Sequence, residues 1–207
     1  MREPVVDGGA KGALRASILQ RRASLSDDDR TAAATAIAAH LATAAFTQVP
    51  TVAAYLSMGS EPGTGPLIEA LLARGTEVIV PVASAERTLD WVRYAPDARL
   101  TRSSLGVPEP DGPRLGTDAI AGVGLVIAPA LAVDHAGWRL GRGAGYFDRA
   151  LAHARGGGTS RCDARFAQRG TICALVYADE LLPVVPHEDH DVPVDLVVTE
   201  AGIFRVP

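Results

Sequence analysis

Residues 51–84 read TVAAYLSMGSEPGTGPLIEALLARGTEVIVPVAS, and the order of features along them decides the fold. TVAAYLS is a short apolar run that stops at MGSEPGTGP, a loop built on glycine and proline. PLIEALLARG has helical spacing and is closed by Gly75, and EVIVPVAS is a second short apolar run, which Pro81 is expected to close. Strand, loop, helix, strand is the βαβ unit, and the returning helix makes its two strands parallel.

The pattern continues on both sides of this unit. TLDWVR (88–93) predicts an edge strand, and 101–118, rich in Gly, Pro and Asp, predicts a long surface loop containing GVPEP. GLVIAPALAV (124–133) predicts one buried strand, followed by a glycine-rich turn and a helix near 146–155. TICALVYADE and DLVVTEAG predict two more strands. Upstream, AKGALRASILQRRA (10–23) predicts an amphipathic helix, with Ala10, Ala13, Leu14, Ile18 and Leu19 on one side and Lys11, Arg15 and Arg22 on another. Ser26 before Asp27, Asp28 and Asp29 is an N-cap signal for a second, Ala-rich helix reaching about Ala45. The expected fold is α/β: an open, Rossmann-like, mostly parallel sheet with helices on both faces, a three-layer sandwich in one domain over 1–207. Residues 1–9 and the basic stretch 154–170 are expected to be flexible. Ligands of such sheets sit beyond the carboxyl ends of the strands, so loops 58–65, 106–111, 134–148 and 186–191 should face one crevice.

The composition excludes several classes. With 207 residues, 47% hydrophobic and 21% charged, the chain can bury a core without disulfides, so wholesale disorder is excluded. A formal charge of −4 argues against a protein that coats nucleic acid. Cys162 and Cys173 lack metal-type spacing and read as reduced thiols. MREPVVDGGAKGALR has no apolar core, and no run reaches the roughly 20 apolar residues that span a bilayer. A soluble, cytoplasmic protein with no membrane or nucleic-acid partner is expected. Of 20 basic residues only Lys11 is lysine, a hint that this position needs a compact point charge rather than a planar guanidinium.

Chemistry concentrates in RLGRGAGYFDR, Arg139 to Arg149. Gly141, Gly143 and Gly145 follow a buried strand and precede a helix, where bare backbone N–H groups and a helix N-terminus favour an anion. Arg139 and Arg142 could clamp phosphate oxygens. The pattern is neither GK[ST] nor GxGxxG, and a tight structural turn is the competing reading. Asp148 could bind metal or simply complement the helix dipole. PHEDHDVPVD (186–195) gathers Glu188, Asp189 and Asp191, oxygen ligands suited to magnesium or else a solvated acidic loop. His187 and His190 lack the partners of a zinc site. Glu61 and Thr64, with Met58 as an apolar wall, offer a substrate contact or an ordinary βα loop. Trp91, Tyr94 and Trp138 could stack on a flat ring or fill the core.

Together these residues resemble the 5-formyltetrahydrofolate cyclo-ligase family from about residue 10 to 205. The family's KxxLR stands as Lys11-Gly-Ala-Leu14-Arg15, its E-x-x-T as Glu61-Pro-Gly-Thr64, and its G-[IV]-x-E-P as Gly106-Val-Pro-Glu109-Pro110. The hallmark D-x-x-G-x-R-L-G-[RY]-G-x-G-Y-Y-D-R runs from Asp134 to Arg149, and the closing H-D is His190-Asp191. Two departures stand out: Phe147 replaces the second tyrosine, and Val133 replaces the phenylalanine before Asp134.

The resemblance implies an ATP- and magnesium-dependent conversion of 5-formyltetrahydrofolate to 5,10-methenyltetrahydrofolate, with ATP as co-substrate and ADP and phosphate released. It implies ATP binding by Lys11, Gly12, Ala13, Leu14 and Arg15 and by Arg139, Leu140, Gly141, Arg142, Gly143, Ala144, Gly145, Tyr146 and Phe147. It implies folate contacts from Leu56, Met58, Glu61 and Arg142 to Tyr146, magnesium on Asp148 and Asp191, and catalytic roles for Lys11, Arg142 and Tyr146. A monomer is expected. A sugar-phosphate isomerase or acyl-CoA transferase on a similar scaffold, and a non-catalytic nucleotide or folate binder, are the competing functional classes.

Overall fold

The structure, a computed structural model, describes residues 8–84, 88–103, 106–156, 170–188 and 190–207. The expected βαβ unit is present as β1 (Thr51–Ala54), α3 (Gly65–Ala73) and β2 (Glu77–Ala83), preceded by α1 (Gly8–Ser24) and α2 (Asp27–Ala42). β3 (Leu89–Arg93), β6 (Leu125–Pro129), β9 (Thr171–Leu175), β11 (Leu196–Thr199) and β12 (Gly202–Arg205) join β1 and β2 in a seven-stranded sheet. Its order is β12-β11-β9-β6-β1-β2-β3. The five inner strands are parallel and the two edges antiparallel. After β1 the chain first moves to β2 and β3 on one side, then returns to β6 on the other, so the switch point lies beyond the ends of β1 and β6.

The two sheet faces are covered separately, as the fold class requires. Val52, Ala54, Val78, Val80, Leu125, Ile127, Cys173 and Leu175 point toward α2 and α3, where Ile37, Leu41, Leu67 and Leu71 meet them. The alternate residues, Ala53, Ile79, Val126, Ile172 and Val197, pack with Ala150, Leu151 and Ala154 of α4 (Tyr146–Ala154). Helices therefore lie on both faces, in a three-layer arrangement. The cap on α2 is a reciprocal box: Ser26 Oγ accepts from the Asp29 N–H (3.1 Å) and the Asp29 carboxylate accepts from the Ser26 N–H (3.3 Å).

Four expectations are corrected. Pro81 does not close its strand: β2 runs through it, and the β1 register ends at Ile79, so β1 never needs the N–H that proline lacks. The run 124–133 is two strands, because after Pro129 the chain leaves the large sheet and re-forms as β7 (Ala132–Asp134). β7 sits between β8 (Arg139–Leu140) and β10 (Leu181–Leu182) in a small sheet of its own. The loop 101–118 contains a short hairpin, β4 (Leu100–Arg102) with β5 (Pro108–Pro110). Finally, the apolar reading of α1 holds for Leu14 and Ile18 but not for the rest of that side. Lys11, Ile18 and Arg22 are buried, whereas Ala10, Ala13 and Leu19 are exposed, because each inward charge finds a partner.

Cys173 lies in β9 without any exposure, and burial pushes its thiol well above the ordinary value. Cys162, Asp189, residues 1–7 and most of the 154–170 stretch fall outside the described residues. Among the described residues no helix is long and apolar enough to cross a membrane.

Candidate active site

α1 carries Lys11 and Arg15 one turn apart, on the side that faces the small sheet. The Arg15 Nε–H donates to the Gly141 carbonyl at 2.9 Å, joining the first helix to the glycine turn 126 residues later. That turn ends in α4, whose N-cap Gly145 has φ 70° and gives no side-chain cap. The opening N–H groups of α4 are thus left for another acceptor, the arrangement that binds anions. Gly143, at φ 99°, is needed for conformation: a Cβ there would meet the Arg15 guanidinium carbon only at ordinary contact distance, 3.4 Å.

Two cavities meet along this turn. The larger, about 310 Å³, opens beyond the ends of β1 and β6. Tyr55, Leu56, Met58 and Glu61 form one wall, Pro129 to Leu131 its floor, and Pro81, Ala83, Leu89 and Val107–Glu109 the side away from the turn. The smaller, about 230 Å³, lies between α1, the turn and the segment before β11, and is lined by Lys11, Arg15, Glu188, His190 and Asp191. Arg139, Gly141, Gly143, Gly145 and Asp148 belong to both. All four expected loops therefore reach one crevice, divided into an apolar chamber and a charged one.

Every expected charged site residue except Arg15 has an ionic partner inside the protein. Lys11 Nζ donates to Glu188 Oε1 (2.9 Å) and Asp191 Oδ2 (3.1 Å). Arg139 Nη2 donates to Asp148 Oδ1 at 2.5 Å. Arg142 Nε lies 3.1 Å from Glu61 Oε1, and the other Glu61 oxygen accepts from the Met58 N–H (3.0 Å). Burial works against the Lys11 ammonium, but the two carboxylates outweigh it and hold its pKa above the ordinary value. Lys11 in turn lowers the Glu188 pKa. Asp191 stays low against its own partial burial through the Glu188 N–H and Lys11. Burial lowers Arg139, partly offset by Asp148, and the Arg139 Nε–H is buried without an acceptor among the described residues.

Other expected residues have structural roles here. Gly12 and Ala13 are exposed on α1, Leu14 packs against the small sheet's core, and none of the three lines a cavity. Leu140, Ala144 and Tyr146 do line one. Phe147 also lines the larger cavity and packs against both core clusters, so its apolar ring replaces the hydroxyl the family pattern carries. Val133 is buried in the core and walls neither cavity. Thr64 is a clamp rather than a ligand: its hydroxyl donates to Tyr55 O (2.8 Å) and accepts from the Ser57 N–H (3.1 Å). Trp91 is core, Tyr94 packs beside α3, and Trp138 stacks on His187 at 4.0 Å. Asp134 anchors the hallmark's entry, accepting from Ala136, Trp138 and Val185 N–H groups.

Sequence reasoning brought loop 106–111 to the crevice but named no site residue among Val107–Glu109, and it missed the pairing of Arg22 with Glu180. The first left a trace in GVPEP. The second left none, because its halves are 158 residues apart.

A switch-point crevice that couples an apolar chamber to a charged one through a glycine turn is where an α/β protein of this class holds small molecules. Residues 7–200 match the model of the 5-formyltetrahydrofolate cyclo-ligase family, and the chain belongs to that family. The 5-formyltetrahydrofolate cyclo-ligase of Mycolicibacterium smegmatis is 37% identical, covering 92% of this chain and 93% of that one. The mouse enzyme of the same name is 27% identical over 95% and 96%. The solution structure of Aquifex aeolicus 5,10-methenyltetrahydrofolate synthetase superposes with a TM-score of 0.75 at 26% identity, covering 95% of this chain and 92% of that one.

Proposed function

We propose that this ligase converts 5-formyltetrahydrofolate and Mg·ATP to 5,10-methenyltetrahydrofolate, ADP and phosphate, with the folate in the apolar chamber and the triphosphate in the charged one. The supporting observation is the Arg15–Gly141 contact, which puts the cations of α1 and the glycine turn on one cavity.

Phosphoryl transfer needs positioning and charge neutralisation more than covalent help. Lys11, Arg15, Arg139 and the N–H groups at the start of α4 are the donors, and the Arg139 Nε–H, unpartnered among the described residues, is free to donate to an added oxygen ligand. In the reaction read from the resemblance, the formyl oxygen takes the γ-phosphoryl group as its bond to ADP breaks. The second folate nitrogen then bonds to the formyl carbon and gives up its proton, and phosphate departs with the former formyl oxygen. Arg142, already paired with Glu61 across the mouth of the larger cavity, and Tyr146 face this transfer. Leu56, Met58 and the Gly143–Gly145 backbone form the folate walls.

Among the described residues no three carboxylate, imidazole or thiolate groups converge on one point. Asp148 and Asp191 do line one cavity, and magnesium commonly takes one or two carboxylates and completes its shell with phosphate oxygens and water. Asp148 and Asp191 would hold it, and it would neutralise phosphate charge. The test is an assay of methenyltetrahydrofolate absorbance that omits 5-formyltetrahydrofolate, ATP or magnesium in turn. Product should form only with all three, and product formed without ATP would overturn the proposal.

A further inference from the structure

We infer that Glu188 is a releasable tether: it holds Lys11 away from the nucleotide phosphates until a nucleotide competes for the ammonium. This rests on the Mg·ATP reading. Among the described residues of the charged chamber, Lys11, Arg15 and Arg139 face Asp148, Glu188 and Asp191, with the His190 ring 3.7 Å from Glu188. Asp148 is taken by Arg139, and Asp191 and Glu188 share Lys11. Magnesium on Asp148 and Asp191 would compensate those two charges. Glu188 is left over, a carboxylate with no metal role directed at a site for phosphate.

Its construction suits a partner that lets go. The Glu188 side chain is 53% exposed, whereas those of Lys11 and Asp191 are 11% exposed. Water can take over the freed carboxylate at little cost, while Lys11 and Asp191 stay fixed in the wall. The 188–191 turn does not need the Glu188 side chain either. It is held by the Asp191 N–H donating to Glu188 O (2.9 Å) and by the Glu188 N–H donating to Asp191 Oδ2 (2.8 Å). An ammonium has three donors, and two are committed here, so a phosphate oxygen first takes the third and then displaces the more exposed acceptor. Bringing a polyanion against Lys11 while Glu188 holds it carries a like-charge penalty, which favours nucleotide that arrives with its metal.

Calorimetric titration with ADP, once with a chelator and once with magnesium, separates the outcomes. Glu188→Ala should bind metal-free ADP about two- to fivefold more tightly than the wild type. That gain should vanish in a Lys11→Met background, where there is no ammonium to release. Unchanged or weaker metal-free binding would overturn the tether, as would a gain that persists with Lys11→Met, which would mark a diffuse charge effect. A loss confined to the magnesium titration would overturn it too, by making Glu188 a metal ligand. If the wild type binds no Mg·ADP, the nucleotide reading itself fails, and the tether with it.

Discussion

The two ends of α1 each carry a buried cation bound to carboxylates, and the exposure of those carboxylates separates their purposes. Near the C-terminal end, Arg22 is 1% exposed and makes a forked pair with Glu180, Nε to Oε1 and Nη2 to Oε2, both at 2.7 Å. The same Nη2 also donates to Ala130 O at 2.9 Å, and the guanidinium lies 5.4 Å over the Tyr177 ring. Glu180 also accepts from the Tyr177 N–H (2.9 Å), while Arg22 Nη1 is buried without a partner among the described residues. Eleven residues earlier, about 16 Å along the helix, Lys11 meets its carboxylates at the edge of an open cavity. The buried pair cannot exchange partners, because neither charge could be left in the interior. The open pair can. One fixes where the helix lies, and the other uses that position.

The largest expected effect tests the fixed end. Arg22→Met leaves the Glu180 carboxylate buried and unpaired, which should cost about 3–5 kcal/mol and lower Tm by roughly 10 °C. Arg22→Met with Glu180→Leu should recover most of that loss, as thermal denaturation of the single and double variants would show. A single variant as stable as the wild type would mean the pair is not a scaffold.

The open end should respond the other way, in function rather than stability. Lys11→Met should raise KM for ATP about tenfold to a hundredfold, the worth of one charge-assisted contact, while Tm moves by less than about 2 °C. KM for 5-formyltetrahydrofolate should change little, because Lys11 does not line the larger cavity. Equal rises in both values would contradict the division into two chambers.

The smallest effects lie between helices. Ser26→Ala removes the α2 cap and should cost about 1 kcal/mol, visible as a small drop in Tm with unchanged KM values. The Ser26 hydroxyl and N–H hold the Asp29 carboxyl below its ordinary range. A lowered folded pKa means that this stability is present above the unfolded value, near pH 4, and lost as pH falls through the folded one. Tm of the wild type should therefore fall toward that of Ser26→Ala at acid pH. A gap that stays constant down to pH 2 would remove Asp29 from the cap.

The same contrast explains what the sequence makes legible. The parallel sheet could be read because its strands are apolar runs punctuated by Gly and Pro, and the glycine turn because an anion cradle needs bare backbone at a strand-to-helix junction. The inward face of α1 was hidden: Leu19 looked like core and Arg22 like surface until Glu180, far along the chain, supplied a buried partner. The break at Pro129 was hidden because an apolar run does not say where a chain changes sheets. β12 was missed because its pairing is an edge hairpin whose Phe204 and Arg205 stay exposed, so little alternation marks it. In the candidate site, the residue types were visible early. Their mutual pairing was not, since Lys11 with Asp191 and Arg15 with Gly141 are contacts of the folded chain alone.

The most direct test is a crystal structure with magnesium and a non-hydrolysable ATP analogue. The account predicts β- and γ-phosphate oxygens within about 3 Å of Lys11 Nζ and of the N–H groups opening α4, with the Glu188 carboxylate swung off Lys11. A triphosphate bound beyond reach of α1, with Lys11 still on its carboxylates, would contradict it.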